Sequence, residues 1–151
     1  MAKKTKDIQY YEGVGRRREA IARVRLHILT KEKEITVAGQ KVAKGQILVN
    51  GKPLEVFAVN DYDKVRILKP LRLTESDARF AITVKTVGGG FNGQVEAIRH
   101  GISRALTLVD KEEYKPLLKK EGLLTRDPRA RQRRMVGKGG KSRRAKQSPK
   151  R

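Results

Sequence analysis

The stretch Phe80-Ala81-Ile82-Thr83-Val84-Lys85-Thr86-Val87-Gly88-Gly89-Gly90-Phe91-Asn92-Gly93-Gln94-Val95-Glu96-Ala97-Ile98-Arg99-His100-Gly101-Ile102-Ser103-Arg104-Ala105-Leu106-Thr107-Leu108-Val109 decides the fold. Phe80 to Val87 alternates and reads as a strand buried through Phe80, Ile82 and Val84. Gly88 to Gly93 breaks the alternation. Beyond it the period changes: Val95, Ile98, Ile102, Leu106 and Val109 recur every three to four residues. They mark one face of the main amphipathic helix, up to about Asp110. A strand turning through glycines into a helix is the unit of a sheet backed by helices.

Upstream, Ala20, Ala22, Val24, Leu26 and Ile28 fall on one face of a second strand, opposite Ile21, Arg23, Arg25 and His27. Thr30 to Glu34 is a polar, charged turn. Glu34-Ile35-Thr36-Val37 and Gln46-Ile47-Leu48-Val49 are short strand-like segments, leading into the glycine turns Ala38-Gly39 and Asn50-Gly51. Their spacing of 12 hints at a local hairpin duplication, and Asn-Gly is a strong hairpin signal. Asn60 or Asp61 caps a short helix through Lys69, with Tyr62, Val65 and Leu68 on one face and Pro70 ending it. A last helix, Tyr114 to Lys120, presents Tyr114, Leu117 and Leu118 before Gly122 stops it. The order predicts a small α+β or α/β sandwich.

Charge organises the rest. Among 151 residues, 37 Lys+Arg face 16 Asp+Glu, a net +21. Such one-sided charge repels itself in a compact enzyme and points to a polyanionic partner. Residues 126–151 hold 12 basic side chains and one acid but only 4 hydrophobic residues. That tail cannot offset its own ordering entropy and is expected to be disordered when free. The divisions follow: a basic N-terminal extension over 1–9 that reads as a frayed end, a globular body over 10–125, and an extended basic tail over 126–151. With no cysteine, disulfides, Cys-ligated metal centres and thiol nucleophiles are excluded. The longest apolar run, Val56 to Val59, is too short for a bilayer span or a signal-peptide core.

Gly88, Gly90 and Gly93 match G-x-G-x-x-G, but Asp110 ends the same helix and no apolar second strand follows. Gly140-Lys141-Ser142 resembles the end of a Walker A loop, yet Met135 stands where its first glycine belongs. The glycine loop has two other readings, and both can hold together: backbone N–H groups at a helix start that approach an anion, or a tight connection that needs glycine dihedrals. Arg99, His100 and Arg104 extend that surface. His27 and His100 read as surface histidines bonded to RNA or solvent. Arg16, Arg17 and Arg18 precede a strand whose outer face carries Arg23 and Arg25, and planar guanidinium groups suit phosphate. The few aromatics form no stacking platform, so recognition rests on structured RNA, read through backbone and shape.

These residues carry a family resemblance. Gly15-Arg16-Arg17-Arg18-Glu19-Ala20-Ile21-Ala22-Arg23-Val24 resembles the opening of the small-subunit ribosomal protein nine family, Gly88 to Leu106 its central signature, and Leu124-Thr125-Arg126-Asp127-Pro128-Arg129 with the run to Lys150-Arg151 its tail. The resemblance implies the fold of the second domain of small-subunit ribosomal protein five, a β-sheet backed by helices with a left-handed βαβ crossover. It implies a place in the small-subunit head among neighbouring ribosomal proteins, in cytoplasmic ribosomes, with no enzymatic activity, cofactor, membrane or small-molecule substrate. It implies rRNA contacts by Arg16, Arg17, Arg18, Arg23, Arg25, Gly89, Gly90, Asn92, Gln94, Arg99, His100 and Arg104 in the body. In the tail it implies them for Arg126, Arg129, Arg131, Arg133, Arg134, Lys138, Lys141, Arg143, Arg144 and Lys146. Lys150 and Arg151 would meet the peptidyl-site tRNA. The chain departs from the pattern at Leu29 to Gln46, an insertion read as an extra hairpin. It departs also at Arg18, which replaces the usual lysine, and at Gln147-Ser148-Pro149-Lys150-Arg151, which lacks an aromatic after the glutamine. Two rivals come from other classes. A phosphotransfer enzyme would have only Glu96 as an acid near the glycine loop; a DNA-compacting protein would bind duplex DNA and folded rRNA equally.

Overall fold

The computed structural model describes residues 3–5, 8–29, 34–37 and 39–133. In chain order these form β1 (Lys3–Thr5), β2 (Ile8–Arg17), β3 (Ala20–Ile28), β4 (Glu34–Val37), β5 (Gln40–Ala43), β6 (Ile47–Val49), β7 (Lys52–Pro53), α1 (Leu54–Phe57), α2 (Asp61–Leu73), β8 (Phe80–Val87), α3 (Phe91–Val109) and α4 (Lys111–Lys120). Six strands make one mixed sheet in the order β1-β2-β3-β8-β6-β7. β8 runs antiparallel to β3 and parallel to β6, so α1 and α2 lie in a crossover between two parallel neighbours. β4 and β5 form a separate hairpin. Most of the expected Thr30–Glu34 turn lies outside the described residues.

The strands expected at Ala20–Ile28 and Phe80–Val87 form over those bounds. Alternation sets two faces. Ala20, Ala22, Val24 and Leu26 pack with Phe80, Ile82 and Val84 beneath Val95, Ile98, Ile102 and Leu106 of α3. Burying each of these larger aliphatic side chains contributes about 1.5–3 kcal/mol. Asn50 and Gly51 both take positive φ, +49° and +79°, as a two-residue hairpin turn between β6 and β7 requires.

Three readings need correction. The sheet does not begin at Ala20. Ile8–Arg17 is a ten-residue strand paired along β3, and Lys3–Thr5 pair back onto it where a frayed end was expected. β2 hides because two of its inward positions are Gly13 and Gly15, directly under α3. A Cβ on Gly15 would lie 1.9 Å from the Ala97 carbonyl oxygen, and one on Gly13 would lie 2.3 Å from that of Gly101. Ala97, Gly101 and Ala105 line the matching side of the helix, so helix and strand meet backbone to backbone.

Second, α2 buries Asp63, Ile67, Pro70 and Leu71, while Tyr62 is 73% and Val65 48% exposed. The chain offers two apolar faces there. The inward one contains an aspartate, which accepts from Arg66 Nη1 at 3.2 Å and so is not left unpaired. Pro70 does not end the helix, which runs to Leu73. Thr74 Oγ1 closes its last turn by donating to the Pro70 and Leu71 carbonyls. Third, α4 begins earlier than expected, at Lys111. Asp110 caps it by accepting from the Glu112 and Glu113 N–H groups, and Leu117 points outward.

On the face away from the helices, the β4–β5 hairpin covers one end of the sheet. Val42 packs there against Leu29, Leu48 and Ala81. The rest of that face carries the side chains considered next.

Candidate nucleic-acid interface

Cross-strand pairing stacks the outward residues of β2, β3 and β8 in rows. Glu12 lies across from Arg25, and Arg23 lies between Val14 and Lys85. Arg23 and Lys85 are exposed and meet no carboxylate among the described residues. Arg25 differs: its Nε donates to Glu12 Oε2 at 3.0 Å and its guanidinium sits 4.8 Å from the Tyr10 ring centre. Arg23, Arg25 and Lys85 line a groove with Thr83, Gln40 and Asn50. Lys85 was not among the expected site residues, although its signal was present. It occupies an outward position of the alternating Phe80–Val87 strand.

His27 belongs to this face but not to its surface. It is 2% exposed, tilted against Tyr10 at 5.8 Å between ring centres, and hydrogen-bonded through Nε2 to Thr83 Oγ1 at 2.8 Å. The expected surface histidine is a buried one. Burial first, then the nearby Arg25 charge, push its pKa from 6.5 down to about 4. As pH falls through that window, the unfolded chain takes up a proton that the folded chain refuses. Stability therefore drops from about pH 6.5 to about pH 4, by up to about 1.4 kcal/mol per pH unit, and the loss levels off below. His27→Gln should remove most of that drop; a share remains from His100, shifted in the same direction. Urea midpoints at about pH 7 and about pH 4.5 check this, and an equal drop in wild type and variant would contradict the assignment.

The second basic surface surrounds the start of α3. Gly88 and Gly89 hold φ of +73° and +62°, and their added Cβ atoms would lie 2.6 Å from the Glu19 carbonyl oxygen and 2.9 Å from the Ala20 Cβ. These two glycines are therefore required by the connection itself. Gly90 caps α3 without a side-chain hydrogen bond, no acid stands in the first turn, and Gln94 Nε2 donates to the Gly88 carbonyl at 3.0 Å. The cleft beside it is lined by Arg17, Arg18, Asn92, Arg99 and Arg126, with Glu96 and Asp127.

Several of these cations are spoken for inside the fold. Glu96 accepts from both Arg66 and Arg99, the latter at 2.7 Å. Arg17 Nη2 lies 3.0 Å from Asp127 Oδ2, and Arg129 chelates the same carboxylate. Arg104 Nη1 donates to the Val14 carbonyl at 2.7 Å. His100 donates from Nε2 to the Leu124 carbonyl at 3.3 Å, and its Nδ1 faces the Arg16 N–H at 3.5 Å. Burial holds His100 below the ordinary imidazole value. The guanidinium groups of Arg16, Arg18 and Arg126 are exposed and meet no carboxylate among the described residues. Strand alternation sends Arg16 to the open sheet face and Arg17 to the helix face, with Arg18 in the turn at φ +50°. The β2–β3 tip thus serves both basic surfaces. Arg131 lines a cleft with Arg18, Gly89, Gly90 and Asn92, and Arg133 is exposed. Arg134, Lys138, Lys141, Arg143, Arg144, Lys146, Lys150 and Arg151, and with them most of the expected disordered tail, lie outside the described residues.

Among the described residues no group of His, Asp or Glu could hold a metal ion, and no helix is long and apolar enough to cross a membrane. Compared with known protein families, the chain matches the family described as Ribosomal protein S9/S16 over residues 15–151.

Proposed function

The chain belongs to the ribosomal protein S9/S16 family, and from that premise we propose that its body docks on rRNA in the small-subunit head while its tail reaches the peptidyl-site tRNA. Members are structural, rRNA-binding proteins of the small ribosomal subunit, not enzymes. The observation that carries the docking surface is the sorting of its cations. Arg25, Arg99 and Arg129 are ion-paired within the fold, whereas Arg16, Arg18, Arg23, Lys85 and Arg126 stand exposed without a carboxylate among the described residues. Guanidinium groups already held by carboxylates meet phosphate at the cost of a competing pair; the open ones do not. Arg17, Arg104, His100, Gly89, Gly90, Asn92 and Gln94 then shape the docking surface more than they charge it.

On this reading the fold is that of the second domain of small-subunit ribosomal protein five, with β6, α2 and β8 as its left-handed crossover. The parallel pairing of β6 with β8 supplies the βαβ unit that this fold requires. Residues 10–125 form the body and 126–151 the tail, whose last cations, Lys150 and Arg151, steady the tRNA. The protein works in cytoplasmic ribosomes beside other head proteins. The rival phosphotransfer reading loses its acid, since Glu96 is bound by Arg66 and Arg99.

Sucrose-gradient fractionation with a tRNA-release assay tests the proposal. The chain and a variant lacking Lys150 and Arg151 should both travel with small subunits. Subunits carrying the variant should release peptidyl-site tRNA several-fold faster. Migration with free mRNA or the chromosome would refute the docking, and assembly failure of the variant would make the tip an assembly element.

A further inference from the structure

Asp127 is the one acidic side chain in residues 126–151, among 12 basic ones. For a segment meant to lie along phosphates, electrostatics alone favours no acid there. Its contacts are dense. Oδ2 receives Arg17 Nη2 at 3.0 Å and Arg129 Nη2 at 2.8 Å. Oδ1 accepts the Arg129 backbone N–H and Nε, both at 3.0 Å. Arg17 Nη1 also donates to the Arg129 carbonyl at 2.9 Å. Arg17 therefore grips a carboxylate and, two residues on, a backbone oxygen of the same segment.

The approach to this point is also fixed. Gly122 turns the chain out of α4 at φ +68°, Leu123 is buried, and the Leu124 carbonyl accepts from His100 Nε2. Pro128 locks its own φ and biases Asp127 to extended backbone. The bonded carboxyl is held well below the usual carboxylate range, chiefly by the Arg129 side chain, so it stays ionised at any working pH.

We propose that Asp127 is a positioning residue: clamped by Arg17 of β2 and Arg129, it sets the direction in which the chain beyond residue 129 leaves the body. The tail then reaches its RNA from one direction instead of searching a hemisphere. This rests on the reading in which the tail binds RNA. It separates two effects that ordinarily move together. Asp127→Asn removes a negative charge and so raises the net charge by one, which strengthens non-specific RNA binding, yet it releases the clamp, which disperses the tail.

The test uses the full-length chain, whose lack of cysteine allows two placed labels. Spin labels at Glu113→Cys on α4 and Gln132→Cys should give a narrow distance distribution that at least doubles in width in Asp127→Asn. Asp127→Glu should restore part of the narrowing. In subunits reconstituted with a cleavage reagent on Ser148→Cys, rRNA cuts should be concentrated when Asp127 is in place and scattered in the Asp127→Asn chain. Affinity of the free variant for rRNA should be unchanged or higher, and its urea midpoint only slightly lower, since the lost ion pair is partly exposed. An equally narrow distribution in Asp127→Asn overturns the proposal, and so do equally concentrated cuts. Absence of cuts with Asp127 in place defeats the tail reading instead, while the label distances still decide the clamp.

Discussion

Gly15→Ala should cost about 3 kcal/mol or more, at the top of the range for overpacked sites. The added methyl would sit 1.9 Å from the Ala97 carbonyl oxygen and 2.4 Å from the Gly101 nitrogen. Both are backbone atoms of α3, so no side-chain rotation makes room. The helix would have to rise off β2. Yet α3 is held close on either side of this point, since Gly13 meets the Gly101 carbonyl and Gly101 meets Val24 Cγ2, the latter at 2.7 Å from a built Cβ. Against a typical domain stability of about 5–15 kcal/mol, the loss is a large share of the total. Gly90→Ala is the control. Its φ is −104° and a Cβ there meets nothing within 4 Å, so it should cost under about 1 kcal/mol. Urea unfolding followed by circular dichroism measures both. A Gly15→Ala midpoint equal to that of Gly90→Ala would contradict the flush packing of α3 on β2.

The same glycines explain what was legible in the sequence. β3, β8 and α3 bury large residues at the period of their element, so pattern reveals them. β2 has the period but not the residues, because its inward sites at 13 and 15 must be empty for α3 to approach. The small residues Ala97, Gly101 and Ala105, four apart along α3, were the available clue. In α2 the pattern pointed to Tyr62, Val65 and Leu68; Leu68 packs partly buried against the core, while Ile67, Pro70 and Leu71 take the buried places that Tyr62 and Val65 were expected to fill. In the interface, Arg23 could be placed outward by alternation, and Lys85 by the same rule. Which arginines are already paired could not be read, because Arg17 meets Asp127 and Arg66 meets Glu96 only through the tertiary fold.

Removing residues 134–151 should flatten the salt dependence of RNA binding more than any change in the body. The segment carries eight cations: Arg134, Lys138, Lys141, Arg143, Arg144, Lys146, Lys150 and Arg151. Each neutralised phosphate contributes about 0.7–0.9 to the log–log salt slope, so if all eight meet phosphate the slope falls by about six to seven. By the same rule the double variant Arg23→Ala with Lys85→Ala loses at most about two. The comparison distinguishes an anchored body with a long electrostatic arm from a body that does the binding alone. The truncation keeps Asp127 and Arg129, so the exit from the body stays as it is and only the charge beyond it is lost. Filter binding to small-subunit rRNA between about 50 and 200 mM salt measures both slopes. An unchanged slope after truncation would mean that the tail's cations exchange water, not phosphate, and the tail would lose its assigned role.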